Sequence, residues 1–102
     1  MALRLRYLAF DQSEGDEGVT TLEAMAATTS PARRDALLQE AQQVLDWAWR
    51  RFPHSHGLVE EGMDWDHDLQ LHEQAGGWHE LVLTFTGSAA FVAAFEAEVL
   101  PA

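Results

Sequence analysis

Two β-strands followed by an α-helix are predicted twice along this chain, and no linker separates the two halves. Alternating and β-branched apolar residues predict strands at 3–10, 19–28, 64–73 and 78–86. One helix is predicted after each pair of strands, so the element order is ββαββα. This order favours a two-layer fold in which a four-stranded, mainly antiparallel sheet carries both helices on one face.

Sequence signals mark the ends of several of these elements. Ser30 and Pro31 are typical of the N-cap and first position of a helix, and Pro53 ends the apolar stripe that follows. Ser88 is the predicted N-cap of the second helix. A three-residue turn at 74–76 joins the third and fourth strands and keeps their apolar residues on one face.

The strand patterns also assign side chains to faces of the sheet. In the first strand, alternation predicts that Leu3, Leu5 and Tyr7 point inward. His67 and His79 fall on the apolar faces of the third and fourth strands. We expect these two histidines to be core residues that have hydrogen-bond partners, with a catalytic base as the alternative.

Residues 1–102 are predicted to form a single α+β domain, because a chain of this length suits one modest hydrophobic core. The element order resembles that of a ferredoxin-like βαββαβ fold whose last strand has moved to the front. The resemblance is one of architecture alone, and it implies the strand order 1-2-4-3.

The composition excludes several classes of function. Seventeen acidic and six basic residues give a net charge of −11, whereas a nucleic-acid-binding surface needs a basic footprint. The chain has no cysteine, which excludes disulfides and favours the reducing cytoplasm. No apolar run approaches the ~20 residues that span a membrane, and no signal peptide is evident. We therefore expect a cytoplasmic protein that contacts neither nucleic acid nor membrane directly.

Most of the negative charge is predicted to lie at one end of the domain. In this topology the loop after the first strand and the loop after the first helix reach the same end of the sheet. The carboxylates brought there are Asp11, Glu14, Asp16, Glu17, Glu60, Glu61, Asp64 and Asp66. Like charges at close range repel, so this end either splays into solvent or binds something positive. These residues are the predicted site for a basic protein partner.

A group of histidine and aspartate residues after the first helix has the chemistry of a metal site. The candidate ligands are His54, His56, Asp64 and Asp66, and imidazole with carboxylate suits zinc, manganese or iron. Strand alternation turns both aspartates toward solvent, and the spacing matches no standard ligand pattern. No metal or other cofactor is therefore assigned from the sequence.

An apolar patch is predicted on the face of the sheet that the helices leave open. Met25, Trp78 and Val82 fall on that face among polar residues, and Trp47 lies beside the main apolar stripe of the first helix. Trp49 is predicted in the core. Since exposed tryptophan is enriched at interfaces, these residues predict a homodimer formed through the helix-free face.

The leading hypothesis is a small, non-catalytic interaction domain whose acidic end meets a basic partner. Two alternatives remain open. One is a metal-dependent enzyme or divalent-cation-binding protein that uses the histidine and aspartate region, and the other is an acidic mimic of nucleic acid.

Overall fold

Four long strands form one antiparallel sheet in the computed structural model, which describes residues 2–101. The elements are β1 Leu3–Arg4, β2 Phe10–Glu14, β3 Thr20–Thr28, α1 Pro31–Arg51, β4 Trp65–Gln74, β5 Trp78–Gly87, α2 Ala89–Glu98 and β6 Val99–Leu100, with 3-10 turns at Asp16–Gly18 and Val59–Glu61. The sheet has the order β2-β3-β5-β4. This confirms the predicted α+β architecture and the strand order 1-2-4-3. Both helices pack on one face, and no helix within the described residues is long and apolar enough to cross a membrane.

The first predicted strand is wrong in its middle. Only Leu3–Arg4 and Phe10–Glu14 are extended in ladders; β1 pairs in parallel with β6 rather than joining the main sheet. Between them Leu5 and Leu8 are buried, whereas Tyr7, predicted inward, is exposed. The predicted loop at 11–18 is correspondingly shorter, because its first four residues belong to β2.

A buried carboxylate explains why residues 5–9 leave the strand conformation. Glu40 of α1 is only 6 % exposed. Its Oε2 accepts the backbone N–H of Arg6 at 2.7 Å, and its Oε1 accepts those of Tyr7 at 2.9 Å and Leu8 at 2.7 Å. Three successive donors turned toward one side chain cannot also serve a strand ladder, whose donors alternate in direction.

The helix boundaries agree with their sequence signals. The Ser30 hydroxyl accepts the backbone N–H of Arg33 at 3.2 Å, so it caps α1, and Pro31 occupies the first turn. The Ser88 hydroxyl caps α2 in the same way through Phe91. Helix α1 ends at Arg51, two residues before Pro53.

The β4–β5 turn has the predicted length but lies one residue later, at 75–77, because Gly77 as well as Gly76 takes a positive φ. Glu73 therefore pairs with His79. The shift preserves parity, so Leu69 and Leu83 face each other on the helix side as expected. His79 is buried as predicted, but the predicted hydrogen-bond partner is wrong for its Nδ1, which lies 3.2 Å from a Glu73 carboxylate oxygen without hydrogen-bond alignment.

Aromatic rings fill the core between the sheet and the helices. Trp65 and Phe91 stack with centroids 5.7 Å apart and planes 10° from parallel, and Phe85 packs against both. Trp47, predicted at an interface, is instead 4 % exposed and packs edge-on against Phe91 and Phe95 of α2. Helix α1 thus buries a second flank against α2, and its exposed tryptophan is Trp49.

Candidate functional sites

The loop after α1 runs beside the first residue of β4. Trp65 accepts the backbone N–H of Gly57 at 2.8 Å through its carbonyl, and Ser55 accepts that of Asp64 at 2.9 Å. A parallel bridge joins His56 to Trp65. Because β4 is an edge strand, these bonds use its outer side and hold His56 against the start of the strand.

Three polar side chains meet at this edge. His56 Nε2 lies 2.9 Å from His67 Nδ1 and 3.3 Å from Asp66 Oδ1, and one ligand-type atom from each residue falls within a 4.8 Å span. Asp66 Oδ1 also accepts the backbone N–H of His67 at 2.8 Å, which fixes the carboxylate. We call His56, Asp66 and His67 the edge cluster. All three are partly buried.

Tryptophan rings surround the two imidazoles. His56 packs against both Trp49, at a centroid distance of 4.6 Å, and Trp65, at 4.5 Å, and the two tryptophan rings also contact each other at 4.9 Å. The ring of His67 stacks on Trp65 at 5.7 Å. These contacts restrict the orientation of both imidazoles, while Trp49 remains 43 % exposed and leaves the cluster within reach of solvent.

The surroundings favour neutral His67. Burial lowers the pKa of the His67 imidazole, and the neighbouring His56 lowers it further; the carboxylates of Asp66 and Asp68 act in the opposite direction. A neutral imidazole keeps a lone pair on one ring nitrogen, which is the form that accepts a hydrogen bond or binds a metal.

The structure brings together two of the four candidate ligands predicted from the sequence. His56 and Asp66 belong to the edge cluster, and His67 joins them in place of the other two. Asp64 instead joins β4 to α2, because its carboxylate accepts the Ser88 hydroxyl at 2.9 Å and its carbonyl accepts the Ser88 backbone N–H at 2.8 Å. His54 lies in the exposed turn after α1.

His67 was expected in the core, and that prediction is wrong because only the inner strands are fully covered by helices. On edge strand β4, burial falls from Trp65, which is fully buried, to His67, which is partly buried, and to the exposed Leu71. The sequence signal for the cluster is the run Trp65-Asp66-His67 at the start of the predicted third strand, which follows a loop that contains two histidines.

Four of the eight predicted acidic residues line connected depressions at one end of the molecule. Asp16, Glu17 and Glu60 line one depression together with Gly15 and Val19. Glu14 lines the next, which shares Gly15 and Val19 with the first. Of the other four, Asp11 points away from the helices on β2, Glu61 is exposed in its 3-10 turn, Asp64 is bonded to Ser88, and Asp66 belongs to the edge cluster.

A groove continues from this acidic end between β2 and α2. Two adjoining depressions of about 430 Å³ and 320 Å³ share Gln12 and Glu96. The side chains of Phe10, Leu22 and Phe95 form an apolar floor in the second depression, and the Glu14 and Glu96 carboxylates line the groove. We call this the β2–α2 groove. No sequence pattern predicts this groove, because it forms where α2 packs beside β2.

The helix-free face of the sheet holds Met25, Val82 and Trp78, which were predicted to lie there; Val82 is partly buried, and Glu80 lies between it and Trp78 along β5. Met25 is 60 % exposed and pairs in register with Val82, and Trp78 is 46 % exposed at the far end of β5. Polar neighbours surround them, including Gln70 opposite Val82 and Glu80 opposite Ala27.

Comparison of the chain with protein-family models, with curated proteins and with solved structures finds no match.

Proposed function

We propose that this protein is a non-catalytic interaction domain that binds a basic segment of a partner protein in the β2–α2 groove. The observation that supports the proposal is an apolar floor, formed by Phe10, Leu22 and Phe95, flanked by the carboxylates of Glu14 and Glu96. Leu22 and Phe95 are already buried, so Phe10 together with Ala9 and Pro101 presents the apolar surface that a partner can remove from water and that contributes affinity. The carboxylates select the sign of the partner's charge.

The charge distribution favours the same occupant. The groove opens at Gly15 and Val19 onto the depression lined by Asp16, Glu17 and Glu60. Among the described residues no arginine lines either place; the six arginines lie before β2 or on α1. An uncompensated negative field accelerates the encounter with a positive segment and repels an acidic one.

The expected occupant is a segment in which lysine or arginine alternates with large apolar side chains. Each depression is at the small end of the size range of ligand sites, which suits a few side chains rather than a large cofactor. The absence of cysteine agrees with action in the cytoplasm, and fractionation of the native cells is the direct measurement.

The test uses a fluorescent leucine–lysine peptide and a matched leucine–glutamate peptide as probes. Anisotropy should rise with the basic probe alone, and added salt should weaken the binding. Ala93→Arg places a long positive side chain in the groove and should reduce affinity by at least about tenfold, that is 1.4 kcal/mol. Ala90→Arg is the control, because Ala90 is equally exposed on α2 but does not line the groove.

Either of two results would overturn this proposal. One is equal binding of the basic and acidic probes, and the other is equal loss of affinity in Ala93→Arg and Ala90→Arg. A Glu14→Gln/Glu96→Gln variant separates the contribution of the carboxylates from that of the apolar floor. It should reduce the affinity for the basic probe several-fold and leave weak binding of apolar side chains to the floor.

A homodimer through the helix-free face is a second proposal, supported by the exposed side chain of Met25 beside the partly buried Val82 and by the exposed Trp78. Sedimentation equilibrium at tens of micromolar should then give about twice the 11.4 kDa chain mass. Trp78→Glu should shift the equilibrium toward monomer, because it places a charge in a desolvated contact. A clean monomer for the unmodified protein would contradict this second proposal.

A further inference from the structure

We propose that the edge cluster is a binding site for a divalent transition-metal ion of the zinc class, held by His56, Asp66 and His67. This goes beyond the proposed partner binding and is independent of it, because the cluster lies at the β4 edge of the sheet and the β2–α2 groove lies at the opposite edge.

The distances between the ligand atoms suit a small ion. Zinc–nitrogen and zinc–oxygen bonds of ~2.0–2.1 Å place neighbouring ligand atoms of a tetrahedral site roughly 3.3 Å apart. The His56 Nε2 to Asp66 Oδ1 distance is 3.3 Å. The His56 Nε2 to His67 Nδ1 distance is 2.9 Å, so an ion between the two imidazoles needs them to separate by only a few tenths of an ångström.

The ligand types select the class of ion. Two imidazoles and one carboxylate disfavour calcium and magnesium, which prefer oxygen ligands, and favour zinc and its first-row neighbours. Imidazole binds a metal ion as a neutral ligand, so two imidazoles and one carboxylate leave one positive charge of a divalent ion. Three protein ligands leave at least one coordination position for water or a small anion.

The surroundings hold the ligands before an ion arrives. The backbone N–H of His67 fixes the Asp66 carboxylate, and Trp65 packs against both imidazoles. The loop carrying His56 is tied to Trp65 by the bond from Gly57. Such support raises affinity because less rotamer freedom is lost on binding, and it separates this cluster from a set of mobile surface carboxylates.

The experiment titrates the full chain, stripped with a chelator, with zinc chloride by calorimetry and with cobalt chloride by visible absorption. One zinc ion per chain should bind with a Kd on the order of 1 µM or tighter. Cobalt should give the intense absorption of a four- or five-coordinate site. Zinc at a hundred times its Kd should also raise the melting temperature, because it binds the folded state alone.

Substitution separates the cluster from adventitious histidine binding. His56→Gln alters a loop residue and should weaken zinc by at least about tenfold while the protein stays folded by circular dichroism. Asp66→Asn should act similarly. His72→Gln is the matched control, since His72 lies on the same strand with its Nε2 at 2.8 Å from Gln70 Oε1, outside the cluster; it should bind zinc as the unmodified protein does.

A Kd above about 100 µM, or an equal loss in His56→Gln and His72→Gln, would overturn the metal site. The groove variant Ala93→Arg should bind zinc as tightly as the unmodified protein does, and His56→Gln should bind the basic peptide with unchanged affinity. These crossed controls make a failure of the metal site distinguishable from a failure of partner binding.

Discussion

The carboxylates of Glu40 and Asp66 both accept hydrogen bonds from the backbone, but they differ in how many further hydrogen bonds or ligands they can accept. Both oxygens of Glu40 are occupied by donors from a segment more than thirty residues away, and the side chain is buried. Asp66 accepts a donor from its own neighbour and otherwise contacts a histidine at the sheet edge. A saturated, buried carboxylate serves the fold, whereas a partly satisfied carboxylate beside two imidazoles is free to serve a ligand.

The strongest test of this contrast is Glu40→Gln. The amide replaces one acceptor oxygen with a buried NH₂ donor that faces other donors, so at least the part-buried backbone N–H of Arg6 loses its partner. We expect the free energy of unfolding to fall by about 2–4 kcal/mol, because charge-assisted bonds are lost and a buried donor is left unsatisfied. Urea denaturation followed by circular dichroism measures it.

Glu61→Gln is the control for this variant, since Glu61 is exposed in its 3-10 turn. It should change the unfolding free energy by no more than about 0.5 kcal/mol. If Glu40→Gln is equally mild, the buried carboxylate does not organise the N-terminal segment, and the distinction between the two carboxylates fails.

A methyl group added at Gly87 tests how tightly the aromatic core behind the edge cluster is packed. A Cβ at this position would lie 2.6 Å from Phe91 Cδ2, and Phe91 stacks on Trp65, which supports both imidazoles. Gly87→Ala should lower the unfolding free energy by about 1–3 kcal/mol through overpacking and alter the near-ultraviolet circular dichroism of the tryptophans.

The double variant Gly87→Ala/Phe91→Leu should be less destabilised than the sum of the two single changes, because the smaller side chain relieves the clash. Strict additivity would show that the strain lies elsewhere.

The salt dependence of stability tests the repulsion at the acidic end, where Asp16, Glu17 and Glu60 line one depression. Raising sodium chloride from about 0.01 M to 0.15 M should raise the unfolding free energy by up to about 1 kcal/mol, because screening weakens the repulsion between these charges. Glu60→Gln should reduce this salt dependence. Asp35→Asn should not, since Asp35 lies on α1 and pairs with Arg34 at 3.1 Å.

Glu98 gives the smallest expected effect, on acid stability. A hydrogen bond from Arg51 and a second from Trp47 lower the pKa of Glu98 below its ordinary value of 4.5; burial opposes them, and the charge of Arg51 adds a lesser lowering effect. The folded state then binds fewer protons than the unfolded state. This contribution is present above pH 4.5 and is lost as pH falls through the folded pKa.

Denaturation of Glu98→Gln at about pH 5.5 and pH 3 measures this contribution, because the amide oxygen still accepts the Trp47 indole N–H but no longer titrates. The variant should lose less stability on acidification than the unmodified protein. An identical acid dependence would mean that the Arg51 pair is open in solution.

The parts of the fold that local chemistry decides were predictable from the sequence. Ser30 with Pro31 and Ser88 mark the helix starts, and two glycines at 76–77 join strands whose apolar residues alternate. The topology follows from the order of these elements, because short connections and antiparallel hairpins leave few arrangements.

The failures have a common physical cause, which is contact between residues distant in sequence. The turn at 5–9 exists because Glu40 binds its N–H groups, and a carboxylate on the apolar stripe of α1 was the available signal. Trp47 is buried and Trp49 exposed, the reverse of the prediction, because α2 packs on the flank of α1 that carries Trp47. The edge cluster could not be predicted because it depends on β4 being an edge strand whose outer side pairs with the loop that carries His56.

The parallel pairing of β1 with β6 also has a mechanical consequence. Because the two strands run in the same direction, tension applied before Leu3 and after Leu100 pulls them oppositely along their common axis. Their hydrogen bonds, together with that from Leu5 N–H to Leu100 carbonyl at 3.0 Å, are therefore loaded in shear and at the same time, rather than opened one by one. Once the β1–β6 hydrogen bonds break, the force acts on the three hydrogen bonds between Glu40 and the backbone of residues 6–8. The side chain that shapes the N-terminal segment therefore also resists its extension.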